Sequence, residues 1–201
     1  MSTTYLGHER RFSTVKVRAG AALLVFLLFV LVTASGQAQS SFVYTNNNEI
    51  PNTVTAFSVG FGGTLMTVPG SPFMTGGDGS GLFVASNTAA ATMRKRFLYV
   101  SNNGTNDISG FSIDTTTGAL TPVPGSPFDN GPFRNGGAPV CDINADPSGK
   151  LLLLADCENS LITVFSIDAS SGALTNIKGS PFPVAAKPIG GGSPSNLAIT
   201  H

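Results

Sequence analysis

The sequence predicts an all-β fold, a partial β-propeller of four-stranded antiparallel blades. Three observations point there. The tetrapeptide GSPF recurs at 70–73, 125–128 and 179–182. FSID recurs at 111–114 and 165–168, with Phe57-Ser58-Val59 in the matching place upstream. The composition supplies 24 Gly and 13 Pro but only 11% charged residues and no Trp, which favours short strands and turns over helices.

The repeat is internal and gapless over long stretches. Residues 97–128 and 151–182 agree at 14 of 32 positions, and an upstream copy at 42–73 needs one extra residue. The period is 54–55 residues, within the range of propellers and solenoids. The repeats fall at about 42–73, 74–128 and 138–182, with a partial copy at 190–201.

Each period divides into four strands. In the third copy the first strand runs over 139–144 and ends in the turn Asp146-Pro147-Ser148-Gly149. Asp caps such a turn through its side chain, Pro presets φ, and Gly accepts positive φ. The apolar run at 151–154 is a strand covered on both faces. Residues 162–167 form the third strand, and the loop at 168–172 has its counterpart at 114–118. A fourth strand from 173 ends in GSPF. Its counterpart in the second copy carries Pro122 and Pro124, which cannot donate ladder hydrogen bonds, so the fourth strand is the blade's edge. In the second copy, residues 81–86 are expected to supply the first strand.

The N-terminus is set apart. Arg10, Arg11, Lys16 and Arg18 precede an apolar run at 19–34 and a small-x-small site at Gly36-Gln37-Ala38. This predicts a signal peptide over 1–38 and a propeller over 39–201, placed in the periplasm, outside the cell or at its surface. A membrane is involved only if the leader stays uncleaved, and the run is shorter than the ~20 residues of a spanning helix. The whole chain has zero formal net charge. Removing the leader takes away four of 11 basic residues and one of 11 acidic ones, leaving a net of −3. That weakly acidic balance excludes a nucleic-acid partner on electrostatic grounds.

VYTN at 43–46, YVSN at 99–102, FSID, TGAL at 117–120 and GSPF resemble the YVTN/lactonase family of seven-bladed β-propellers, which includes 6-phosphogluconolactonase-like proteins. The resemblance implies the propeller architecture and, by family, lactone hydrolysis. Three repeats fall short of seven. Residues 194–200 match a first strand, whereas residue 42 begins at a second strand. Two expectations follow: a fragment of a longer propeller, or a homodimer in which strand 194–200 of one copy completes the blade begun at 42–46 of the other.

Candidate chemical sites are few. Cys141 and Cys157 lie in the exported part, where a disulfide is allowed, and joining them needs a bulge. Asp142, Asn144, Asp146 and Ser148 have the alternation of a calcium loop but lack a distal Glu, and a strand followed by an Asx turn explains the same letters. The Asn-rich segments 46–48 and 102–107 fit either polar ligand loops or hairpin loops. Arg94, Lys95 and Arg96 suit an anion or a solvated turn. Lactone hydrolysis needs a general base and positive charge near the substrate. Glu49, Glu158, Arg94, Arg96 and Arg134 are the available groups, and the mature part has no His before His201. No motif maps onto them, so no catalytic residue, metal ligand or cofactor is assigned. The sequence therefore predicts an exported binding or scaffold propeller with an unidentified ligand or protein partner. Its alternative is a lactone hydrolase with a site in further blades or formed on oligomerisation.

Overall fold

The computed structural model describes residues 41–81, 89–91, 96–130, 140–157, 159–184 and 197–199. All belong to one compact unit, Ser40–His201. The strands are β1 (Ser41–Asn46), β2 (Thr53–Val59), β3 (Leu65–Thr67), β4 (Phe73–Met74), β5 (Ala89–Ala91), β6 (Phe97–Asn102), β7 (Asp107–Ile113), β8 (Leu120–Pro122), β9 (Phe128–Asp129), β10 (Val140–Ala145), β11 (Leu151–Asp156), β12 (Leu161–Ile167), β13 (Leu174–Asn176) and β14 (Phe182–Pro183). They form three antiparallel sheets, one per repeat, as the periodicity predicts.

Within each blade the order follows the chain. The second blade runs β5-β6-β7-β8 and the third β10-β11-β12-β13. Strand β6 is buried along its whole length, which suits the apolar, β-branched and aromatic content of a central strand. The proline-bearing β8 lies at the edge of its sheet, where a missing N–H is harmless.

Two expectations change. The strand paired with β6 is β5 at Ala89–Ala91, in register Ala89↔Val100 and Ala91↔Leu98; of 81–86, only Gly81 lies among the described residues. The fourth strand also does not stop at GSPF. It breaks there into two short ladders on the same partner: β3 and β4 both pair with β2, β8 and β9 with β7, and β13 and β14 with β12. The break has a repeated construction. Gly70, Gly125 and Gly179 have φ of 87°, 86° and 91°, a region glycine enters freely. The next serine turns inward, so that the N–H groups of Ala56, Gly110 and Val164 donate to the hydroxyl oxygens of Ser71, Ser126 and Ser180 at 2.9, 2.9 and 2.8 Å. The peptide bonds into Pro72, Pro127 and Pro181 are cis. A side-chain oxygen thus replaces the ladder acceptor that the interrupted strand cannot supply.

The core lies between blades. One cluster joins Tyr44, Val54 and Phe73 of the first blade to Leu98, Val100, Phe111 and Leu120 of the second. The other joins Phe97, Tyr99, Ile108, Val123 and Phe128 of the second to Val140, Leu152, Leu154, Phe165 and Leu174 of the third. Side chains alternate across a strand, so each blade offers one apolar face forward and the other backward. No helix among the described residues is long and apolar enough to cross a membrane. The leader at 1–38 lies outside the described residues.

Candidate functional site

The loops between second and third strands meet the segment that leaves the first blade. Asn48 and Asn106 adopt φ of 54° and 56°, a left-handed conformation that asparagine tolerates. Equivalent amides end the second strands. Asn47 Nδ2 donates to the hydroxyls of Thr53 and Thr55 at 2.7 and 2.8 Å, and Asn102 Nδ2 donates to Asp107 Oδ1 and Ser109 Oγ at 2.6 and 2.7 Å.

These loops also bond across the blades. Asn52 Nδ2 donates to Asn102 Oδ1 at 2.8 Å, and Asn46 Nδ2 to the Ser101 carbonyl at 3.0 Å. Ser109 Oγ donates to the Thr75 carbonyl at 2.8 Å. The N–H of Gly79 reaches the Glu49 carbonyl and that of Gly104 the Asp78 carbonyl, each at 2.8 Å. Asn52 and Asn102 are fully buried. A satisfied polar network of this kind, in a medium of low dielectric, fixes its loops firmly.

The same end of the second and third blades holds polar atoms that no described residue satisfies. Both amide atoms of Asn103, Oδ1 of Asn130 and Oγ of Ser160 are buried and have no hydrogen-bond partner among the described residues. Asn103 occupies the β6–β7 loop, Asn130 follows β9, and Ser160 occupies the β11–β12 loop with φ of 55°. Asn130 is held on its other side, where Nδ2 donates to Asn106 Oδ1 at 3.3 Å. Unsatisfied buried groups are rare in folded proteins, and each of these keeps a hydrogen-bonding capacity that no described group meets.

The opposite end is built from Asx turns. Asp114 Oδ1 accepts from the N–H groups of Thr116 and Thr117 at 2.8 and 3.0 Å. Asp168 Oδ1 accepts from the Ser170 and Ser171 hydroxyls and N–H groups. The Thr117 and Thr116 N–H groups hold Asp114 below the usual carboxylate range. The Ser170 hydroxyl and the Ser171 N–H hold Asp168 well below it. Burial alone would raise Asp146. The Ser148 hydroxyl and the N–H groups of Leu151, Lys150 and Ser148 outweigh that and hold it low.

A tyrosine from each preceding blade caps these turns. Tyr44 Oη donates to the Gly118 carbonyl at 3.0 Å, and Tyr99 Oη donates to the Gly172 carbonyl at 2.7 Å. Burial, with help from Asp114, pushes the Tyr44 phenol up to about 12. Burial and then Asp168 push that of Tyr99 higher still. Gly118 and Gly172 have φ of 78° and 77°, and a Cβ on either would collide with the ring of Phe42 or Phe97. Beside this contact a cleft of about 420 Å³ opens between the second and third blades, bounded by Arg96, Phe97, Ile113, Pro122, Ser170 and Ser171. Arg96 is not an isolated cation there. Its Nη1 donates to the Ala169 carbonyl at 2.9 Å, and its guanidinium lies 5.3 Å from the Phe97 ring centroid.

The remaining sequence candidates separate. Cys141 and Cys157 are joined, with Cα atoms 5.8 Å apart. The β10–β11 register shifts between Val140 and Asp142, so Cys141 is the bulged residue. The calcium-loop letters divide between two tasks. Asp146 Oδ1 accepts from the Lys150 and Leu151 N–H groups at 2.7 Å, closing the turn. Asp142 Oδ2 accepts from the Leu197 N–H at 2.5 Å, while Asn144 Nδ2 donates to the Leu197 carbonyl at 3.2 Å. That places residue 197 along the first strand of the third blade. Glu49 accepts from the Thr53 hydroxyl. Arg94, Lys95, Arg134, Glu158 and His201 lie outside the described residues.

Comparison with known proteins agrees with this architecture. Residues 36–187 match the family described as lactonase, 7-bladed beta-propeller. A 6-phosphogluconolactonase candidate from Bacteroides fragilis is 30% identical, with a TM-score of 0.50 over 71% of this chain and 36% of its own. A second such candidate, from Bacteroides uniformis, is 16% identical, with a TM-score of 0.57 over 83% of this chain and 42% of its own. The periplasmic gluconolactonase of Pseudomonas aeruginosa is 22% identical, with a TM-score of 0.51 over 70% of this chain and 38% of its own. No curated protein matches at a significant level. The chain therefore spans well under half the length of each of these three structures, yet its family match covers most of its own residues, and it belongs to the seven-bladed β-propeller lactonase family.

Proposed function

We propose that the chain acts as an exported binding or scaffold propeller, which takes a polar ligand on the end formed by the loops between second and third strands. The observation that carries this reading is the unsatisfied set at that end, Asn103, Asn130 and Ser160. Uncharged amide and hydroxyl groups suit the hydroxyls of a sugar acid or its lactone. The carboxylates held in their charged form by turn hydrogen bonds, Asp114, Asp146 and Asp168, lie at the opposite end of the blades from this set. Export rests on the basic segment, apolar run and small-residue site of 1–38. Calorimetric titration with gluconate and 6-phosphogluconolactone tests the reading: binding without hydrolysis, weakened by Asn130→Ala, supports it. Hydrolysis well above the spontaneous rate overturns it.

The second reading is a lactone hydrolase, favoured by the 30% identity to the Bacteroides fragilis protein. Its active site would then be completed by further blades or by oligomerisation. The same assay decides between the two.

A further inference from the structure

The cleft between the second and third blades divides by chemistry. Phe97, Ile113, Pro122, Val123 and Pro124 give it an apolar wall, in which Val123 is buried and the two prolines are exposed. Its polar groups are four hydroxyls and the Arg96 guanidinium. Three of those hydroxyls are engaged. Ser112 Oγ donates to the Thr121 carbonyl at 3.3 Å, and the Ser170 and Ser171 hydroxyls donate to Asp168 Oδ1 at 2.6 and 2.9 Å. Arg96 is where donors are left over. A guanidinium carries five N–H groups, and the Ala169 carbonyl takes one of them, on Nη1. The carboxylates on the loops around it are turned elsewhere, since Asp114 accepts from the Thr116 and Thr117 N–H groups and Asp168 from those of Ser170 and Ser171.

Joining the blades does not require this guanidinium. The Arg96 carbonyl accepts from the Ile113 N–H, and in the first blade Ser41 holds the same place of the repeat, opposite Val59. The first junction nonetheless forms, with Phe42 against Gly118 as Phe97 lies against Gly172 in the second. Arg96 therefore gives one junction a charge that the architecture does not demand.

We propose that this cleft binds a small organic acid with an apolar body, its carboxylate on the uncommitted N–H groups of Arg96 and its body against the wall of Phe97, Ile113 and the prolines. The planar fork of a guanidinium matches a carboxylate with two parallel, charge-assisted hydrogen bonds. A volume of about 420 Å³ is that of a small-molecule site. The unengaged hydroxyl, that of Thr115, supplies a further donor at the exposed rim. The cleft lies at the other end of the blades from Asn103, Asn130 and Ser160, so the inference does not depend on what that end binds.

Ligand-observed NMR titration of the full chain with phenylacetate tests it. Phenylacetate is expected to bind. Acetate, which lacks the apolar body, and phenylacetamide, which lacks the charge, each bind at least about tenfold more weakly. Arg96→Gln weakens phenylacetate about tenfold and brings it level with the amide, and Arg96→Lys, which keeps the charge without the fork, falls between. Thr115→Trp fills the cleft from an exposed position and abolishes binding with the melting temperature unchanged, which separates loss of the site from loss of the fold. Absence of phenylacetate binding, equal affinity for the amide, or binding indifferent to Arg96→Gln or to Thr115→Trp overturns the proposal.

Discussion

The Tyr99 hydroxyl donates to the Gly172 carbonyl across 2.7 Å, buried between the second and third blades. One repeat earlier, Tyr44 makes the same bond to Gly118 at 3.0 Å in a half-buried setting. The latch joins the second strand of one blade to the last loop of the next, so it holds blades rather than strands together.

Removing the hydroxyl leaves the carbonyl without its donor. Tyr99→Phe is expected to cost about 1–2 kcal/mol, because the Gly172 acceptor has no water to replace the bond. Tyr44→Phe should cost less, since Tyr44 and its hydrogen bond are only half-buried. Urea unfolding of both variants checks the order.

The two phenols also set an alkaline limit. The unfolded phenol ionises near 10, whereas folded Tyr44 resists to about 12 and Tyr99 resists beyond that. A group whose pKa is raised by folding contributes stability below its unfolded value and loses it as pH rises. Melting temperature should therefore hold up to about pH 10 and fall from there to about pH 12. Tyr44→Phe and Tyr99→Phe together should flatten that fall.

On the acid side the signs reverse. Asp114, Asp146 and Asp168 are held below their ordinary value by turn hydrogen bonds. Their contribution is complete above the unfolded carboxylate pKa of about 4 and is lost as pH falls below it. Asp146→Ala should remove part of the acid sensitivity, read as a shallower dependence of the unfolding midpoint below pH 4.

The inward serines carry a separate expectation. Ser126→Ala removes the acceptor of the Gly110 N–H and should destabilise by about 1–2 kcal/mol, the cost of an unmet backbone donor. Ser126→Thr keeps the oxygen and should recover part of the loss. Denaturant midpoints of the two variants check this.

The cysteine pair closes a short loop, with 16 residues of separation. Reduction should lower stability by about 3 kcal/mol in the chain-entropy account. Intact mass before and after alkylation, with and without reductant, tests the bond itself, and melts of the two forms test its contribution.

Much of this fold was legible because its signals are local and repeated. GSPF marks each break in the edge strand, Pro122 and Pro124 place that strand at the margin, and Asp146 with Gly149 marks the turn between β10 and β11. The start of the second blade was not legible. Ala89–Ala91 has weak β-propensity and is a strand only because β6 offers it a ladder. The GSPF serine reads as a turn residue, and its role as a ladder acceptor depends on a third strand 15 or 16 residues away in sequence. The loop network was half visible: the asparagines announce polar loops, but the pairing of Asn52 with Asn102 crosses from one blade to the next. The aligned Tyr44 and Tyr99, with Gly118 and Gly172 one repeat on, were the available signal for the latch.

The split fourth strand bears on solubility. A sheet margin with a row of free N–H and C=O groups is a template on which another chain can add a strand and begin a fibril. Here every blade has its rim cut into ladders of two and three residues, with a turn and a proline between them. The repeat that builds the propeller thus also blunts each blade's outer margin, leaving no straight run long enough for an intruding strand to copy. Strand addition is thereby disfavoured along that outer margin, where any extended peptide would otherwise serve.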